Sequence, residues 1–129
     1  MAKLKVKAKH GDIFIERHIH DEAIVISGSM TARYDAVDLS ARIAEGLETA
    51  AREIGEHGGI VGHIKAAVAA TSTNMISVTD EKAMIKDSPG KQARTTLSAI
   101  VFNVDPKEAE NIIRNVLTTV RLLLQEEKH

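Results

Sequence analysis

The chain changes from a helical pattern to a strand pattern within HGGIVGHIK, residues 57–65, and this change organises the rest of the sequence. Apolar residues recur with a helical period before it and alternate with a strand period after it. Gly58 or Gly59 can adopt the left-handed conformation that commonly ends a helix. We therefore predict one domain over 1–129, made of two similar halves, 1–58 and 59–129, that meet here.

A helix is predicted over residues 36–57, directly upstream of this joint. Asp35 is placed to accept hydrogen bonds from the first-turn amides, as an N-cap residue does. Leu39, Ile43 and Ile54 recur on one face with a period of 3.6 residues. That apolar face should pack on a sheet.

Three strands are predicted ahead of this helix. In the first, Leu4, Val6 and Ala8 alternate with lysines, which is typical of an edge strand guarded by charge. The second covers 13–20 and the third 23–33. Together they predict an antiparallel meander.

Three further strands are predicted after the joint. The first, from residue 60 to 69, should place Ile60 and Ile64 on one face, and Val61, His63 and Lys65 on the other. A short strand follows at 75–79. The polar stretch 80–94 is expected to be the most mobile loop, and 95–104 has the pattern of a central strand, with apolar residues on both faces.

A second helix is predicted from Asp105, where an aspartate cap, Pro106 at the first helical position and Glu108 at the third agree. Its apolar residues repeat those of the first helix at a spacing of 70 residues, so that Ile43 corresponds to Ile113. Such an echo can also arise from amphipathic patterning alone. True duplication therefore stays open.

These elements predict an α+β fold. We expect a two-layer sandwich with a mainly antiparallel sheet of about six strands and two amphipathic helices on one face, in the order βββα-βββα. The opposite sheet face would then meet water, a ligand or a second subunit.

The composition excludes several classes of protein. The 129 residues include no cysteine, so thiolate chemistry and disulfides are absent, and we expect a cytoplasmic protein. A net charge of −1 and three aromatic rings argue against nucleic-acid binding. No apolar run is long enough for a membrane span, so we expect no membrane partner.

Histidines on strand faces are candidate metal ligands. Glu16, His18 and His20 alternate along one predicted strand and would project to one side, where His63 from another strand could join them. Nitrogen and oxygen ligands of this kind suit a divalent transition metal such as zinc, nickel, iron or manganese. The alternative is a set of ordinary solvated or interface histidines.

His63 is also a candidate catalytic residue. It lies on the same predicted strand face as Lys65, and an imidazole can act there as a general acid or base. Lys65, Lys91 and Arg94 could hold an anionic substrate or metabolite.

Leu122 lies nearly opposite the apolar face of the second helix, which makes it an exposed leucine or a contact with another subunit. Three hypotheses therefore stand. The first is a homo-oligomer that binds a metal ion or small anionic metabolite on the histidine-bearing sheet face. The second is an enzyme that uses His63, and the third is a structural assembly subunit without a ligand.

Overall fold

The computed structural model describes residues 13–71, 74–79, 82–87 and 92–127. Along the chain the elements are β1 (Ile13–His20), β2 (Ala23–Ala32), α1 (Ala36–Glu56), β3 (Ile60–Thr71), β4 (Asn74–Thr79), β5 (Lys82–Asp87), β6 (Gln92–Phe102) and α2 (Pro106–Glu127). The predicted strand at 4–8 lies outside the described residues.

Four strands form one antiparallel sheet in the order β1-β2-β6-β3. The α+β class and the two helices are confirmed. The predicted number of about six strands in one sheet is wrong for the described residues, where β4 and β5 form a separate two-stranded sheet. The predicted βββα-βββα order is wrong as well, because 80–94, expected to be a loop, contains β5 and the start of β6.

One extra residue in β3 changes its pattern from the one predicted. The pairing of β3 with β6 shifts between Val61 and His63, so Gly62 forms a bulge. Val61 therefore packs against the core together with Ile64, whereas Ile60 lies on the other face and is 59% exposed. The predicted grouping of Ile60 with Ile64 is wrong, and the shared face of His63 and Lys65 agrees with the register.

The core fills the space between one face of the sheet and the two helices. Helix α1 contacts β3 and β6, α2 contacts β1 and β2, and the helices contact each other. The buried apolar residues alternate along the central strands and recur at helical spacing, as a two-layer arrangement requires. The largest fully buried ones are Ile26, Met30, Leu39, Ile54, Val101, Ile113 and Leu117.

Both helices begin at the predicted aspartates. The N–H of Val37 donates to Oδ1 of Asp35 at 2.7 Å. The N–H of Glu108 donates to Oδ2 of Asp105 at 3.1 Å. Each cap satisfies a first-turn donor that the helix itself cannot pair, and the two predicted helix starts are confirmed.

Helix α1 ends in the glycine-dependent turn that the sequence indicates. Gly58 has a φ of +79°, and its N–H donates to the carbonyl of Gly55 while that of Gly59 donates to the carbonyl of Ile54. This pair of bonds defines a Schellman motif. Asn103, itself at a φ of +59°, then donates from Nδ2 to the carbonyl of Gly58 at 3.0 Å and ties the end of α1 to the chain before α2.

The helices approach each other closely at Gly46. A Cβ added there would lie 2.6 Å from Cγ1 of Val116, a separation that real Cβ atoms essentially never show. Because Gly46 and Val116 are 70 residues apart, this contact joins equivalent positions of the two helical patterns.

Among the described residues, neither helix is long and apolar enough to cross a membrane.

Arg17 breaks the apolar pattern of β1, and its position explains why. Its Nη1 lies 3.7 Å from Oε1 of Glu110 on α2, and Arg114 contacts the other oxygen of the same carboxylate at 3.6 Å. The arginine therefore reaches the rim of the helix layer, where a charge pair remains partly solvated.

Candidate functional site

Among the described residues, the two helices cover one face of the four-stranded sheet and leave the other uncovered, and we call this second face the open face. On β1, β2 and β6 it holds every second residue, opposite in phase to the buried residues, and on β3 the bulge at Gly62 interrupts this alternation between Ile60 and His63. It contains Phe14, Glu16, His18 and His20 of β1, Ala23, Val25, Ser27, Ser29 and Thr31 of β2, Arg94, Thr96, Ser98, Ile100 and Phe102 of β6, and Ile60, His63, Lys65, Ala67 and Ala69 of β3.

The histidines predicted to bind one metal ion lie on this face, but on strands that are far apart. His18 pairs with Val25, Val25 with Ile100, and Ile100 with His63, so they lie in one row across the sheet. Strands are spaced by about 4.8 Å, and three spacings separate the outer two backbones by about 14 Å. His18 and His63 therefore cannot ligate the same metal ion.

The structure does not support the predicted metal site at Glu16, His18, His20 and His63. Nε2 of His18 lies 3.8 Å from Glu16, while His20 lies near Asp21, with both side chains almost fully exposed. No group of three or more histidine, cysteine, aspartate or glutamate side chains is arranged to hold a metal within the described residues. The strand order separates the ligands that the alternation had grouped.

A block of hydroxyl groups occupies the middle of the open face. Ser27 pairs with Ser98, and Ser29 pairs with Thr96, on the two central strands. Cross-strand neighbours have their Cβ atoms about 5 Å apart, so the four hydroxyls are close enough to contact one small molecule. We call Ser27, Ser29, Thr96 and Ser98 the hydroxyl cluster.

Two cations flank the hydroxyl cluster. Lys65 on β3 pairs with Ser98, and Arg94 follows Thr96 along the same face of β6, paired with Thr31 on one side and Ala69 on the other. Both cations are exposed. Neither has an ion-pair partner in the part of the chain that the structure describes.

Small neighbours leave these groups accessible. Ala67 and Ala69 stand opposite Thr96 and Arg94 on the edge strand, and both alanines are exposed. An alanine covers little of the adjacent surface, so an anion or polyol can approach the hydroxyl cluster from the β3 side. Of the three cations predicted to bind an anion, the structure brings Lys65 and Arg94 to this surface, and Lys91 lies outside the described residues.

His63, the candidate general acid or base, is exposed beside Ile100. Within the described ranges it makes no hydrogen bond or ion pair. Its catalytic role stays a prediction.

Sequence reasoning missed the hydroxyl cluster, although a signal was present. Ser27, Ser29 and Thr31 alternate on one strand, as Thr96 and Ser98 do on the other. Hydroxyl residues are common on exposed strand faces. The two series form one cluster only because β2 and β6 pair side by side in this register. The sequence of either strand alone does not predict that pairing.

Other predicted positions have local explanations. His57 is the C-cap residue of α1, and its Nε2 lies 3.6 Å from Oε1 of Glu108 at the start of α2. Leu122 is 53% exposed on α2, on the side of the sheet that carries the helices. Its role in an interface stays a prediction.

Comparison with protein-family models, with curated proteins and with solved structures gave no match to this chain.

Proposed function

We propose that this chain is a non-enzymatic binding protein that holds a small anionic metabolite on the open face of its sheet. Arg94 and Lys65 supply the positive charge, and the hydroxyl cluster supplies hydrogen bonds to the ligand's oxygen atoms. A cytoplasmic location is part of the proposal, because a chain without cysteine uses no disulfides.

The observation that carries this proposal is the exposed Arg94 next to the four in-register hydroxyls. A guanidinium offers several N–H donors in a planar arrangement that matches the oxygens of a carboxylate or phosphate. Serine and threonine hydroxyls both donate and accept, so they can follow the orientation of a bound polar molecule. The combination favours an oxygen-rich anion over an apolar ligand.

Charge distribution on the open face supports an anion rather than a cation. Glu16 is the one carboxylate among the described open-face residues, and it belongs to β1, on the far side of the sheet from Lys65. Three strand spacings, about 14 Å, separate their backbones. The β6 and β3 half of the surface is therefore positive.

The test is an amide-resolved NMR titration with inorganic phosphate and, separately, with succinate, at millimolar concentrations. We expect saturable shifts that are largest at residues 94–98 and 65–69. Replacing Arg94 by glutamine should weaken binding about tenfold, because one charge-assisted hydrogen bond contributes roughly 1.5 kcal/mol or more.

The matched control is Arg52→Gln, which removes the same charge from the exposed surface of α1. It should leave binding unchanged. Equal loss in both variants would mean that only net charge matters, and no saturable shift with either anion would overturn the proposal.

A further inference from the structure

We propose that two copies of this chain pack open face against open face, related by a two-fold axis that runs parallel to the strands. The occupant of the uncovered sheet surface is thus a second copy of the same chain. This inference concerns the same surface as the proposed anion binding and does not rest on it: a second copy seated on the open face covers Arg94 and the hydroxyl cluster, so the dimer and a bound anion compete.

The order of charges across the sheet carries the inference. Glu16, Ser27, Ser98 and Lys65 are paired in succession from β1 to β3, and we call them the charge row. A two-fold axis parallel to the strands reverses left and right, so it brings Glu16 of each copy over Lys65 of the other. The row is complementary to its own reversed image, as a two-fold interface demands.

These two charges cannot meet within one chain. Glu16 and Lys65 belong to the opposite edge strands, with about 14 Å between their backbones. Facing sheets lie about 10 Å apart, a distance that a glutamate and a lysine extended toward each other can span. The pair is therefore available between copies and not inside one.

The centre of the next row also matches its reversed image. His18, Val25, Ile100 and His63 are paired in succession, with the two half-buried apolar residues in the centre. The same reversal lays Val25 over Ile100 of the second copy. The centre of the interface is then apolar and its edges are charged or polar, as in interfaces generally.

The other two-fold orientation does not fit. An axis across the strands would place β3 over β3 of the second copy. The open-face residues described on β3 include Lys65 and His63 but no carboxylate. With the axis through the charge row, Lys65 would face Lys65 of the second copy and Glu16 would face Glu16, and like charges placed opposite each other are unfavourable.

The surface is close in size to one half of a standard dimer interface. Four strands at about 4.8 Å spacing and roughly nine residues at 3.3 Å give a flat projection of about 19 by 30 Å. The accessible surface of such an area exceeds its projection, and standard interfaces bury about 800 Å² per partner. The small side chains of Ser27, Ser98 and Ala67 permit close approach of the two sheets.

The experiment is charge reversal followed by light scattering on size-exclusion fractions, at low salt and without added phosphate. The wild type should have the mass of two chains. Glu16→Lys and Lys65→Glu should each shift the protein to one chain at the same concentration, because each creates two like-charge contacts across the interface.

Mixing the two charge-reversal variants makes the test specific for the Glu16–Lys65 contact. An equimolar mixture of the two reversal variants should restore the mass of two chains, since every facing pair is again opposite in sign, and the double variant should do so alone. Glu48→Lys and Arg52→Glu, on the exposed surface of α1, are the controls and should remain two-chain species.

A single-chain wild type would overturn the inference, as would reversal variants that keep the wild-type mass or a mixture that stays single-chain. The scattering runs contain no anionic ligand, so they report on the pairing of copies alone. Because a second copy covers Arg94 and the hydroxyl cluster, the anion titration is repeated on the single-chain Glu16→Lys variant, where a failed titration counts against anion binding and leaves the dimer inference standing.

Discussion

The two faces of the sheet are built from alternate residues of the same strands, yet they obey different constraints. On the covered face, Ile26, Leu97 and Val101 are almost completely buried against the helices. On the open face, the positions next to these residues include both hydroxyl side chains, such as Ser27, Thr96 and Ser98, and half-buried apolar ones, such as Val25 and Ile100. Packing accounts for the covered face without reference to function, whereas no packing demand within one chain accounts for the charge row or the hydroxyl cluster. The difference points to the open face as the place where binding is determined.

The largest expected loss of stability comes from a substitution on the covered face. Replacing Ile26, which is fully buried on β2, by alanine should lower the free energy of unfolding by about 2–5 kcal/mol, because the lost transfer energy adds to that of the cavity. The matched change Ile60→Ala, on the open face, should cost no more than about 1 kcal/mol. Urea denaturation of both variants measures the difference, and equal losses would contradict the assignment of faces.

A smaller effect tests the helix layer above the covered face. Gly46→Ala should destabilise the protein by about 1–3 kcal/mol, since the new methyl group meets the stiff, branched side chain of Val116. Gly55→Ala, in the same helix but with nothing within 4 Å of the added Cβ, should stabilise it by roughly 0.5–1 kcal/mol through helix propensity. Thermal unfolding of the two variants measures whether each one loses or gains stability. A stabilised Gly46→Ala variant would mean that the helices separate at little cost.

The smallest expected change in stability comes from two neighbouring threonines, Thr95 and Thr96, that lie on opposite faces of the sheet. Thr95 is fully buried, and its hydroxyl has no hydrogen-bond partner among the described residues. Thr95→Val replaces that hydroxyl by a methyl group and should raise the free energy of unfolding by about 1 kcal/mol. Thr96→Val, on the exposed face, should change it by less than about 0.5 kcal/mol. A loss of stability in Thr95→Val, measured by urea denaturation, would show that the hydroxyl is paired.

Local signals in the sequence were sufficient for the helices. Asp35 and Asp105 cap them, Pro106 begins the second, and Gly58 ends the first, because each acts on backbone groups only a few residues away. The periodic spacing of apolar residues then identifies the buried face of each helix. These features require no knowledge of what lies across the molecule.

The features that were missed depend on pairing between distant segments. The bulge at Gly62 places an extra residue opposite β6, and alternation within β3 cannot reveal it. The strand Lys82–Asp87 is rich in charge and pairs with β4 rather than with the main sheet, so its pattern resembled a loop. Alternation within each strand leaves open whether His18 and His63 share a face; that depends on the register between strands, and their separation depends on the strand order.

The bulge at Gly62 also bears on the solubility of the protein. Strand β3 is an edge of the sheet formed by the described residues, and the alanine-rich stretch from residue 66 to 70 leaves its backbone hydrogen-bonding groups little shielded by side chains. A long, flat edge of this kind is a template for adding strands of other molecules until a fibre forms. By bending one end of β3, the extra glycine shortens the straight part of that template, and Lys65 places a charge within what remains. Both features therefore shorten the uninterrupted edge on which a strand of another molecule could pair.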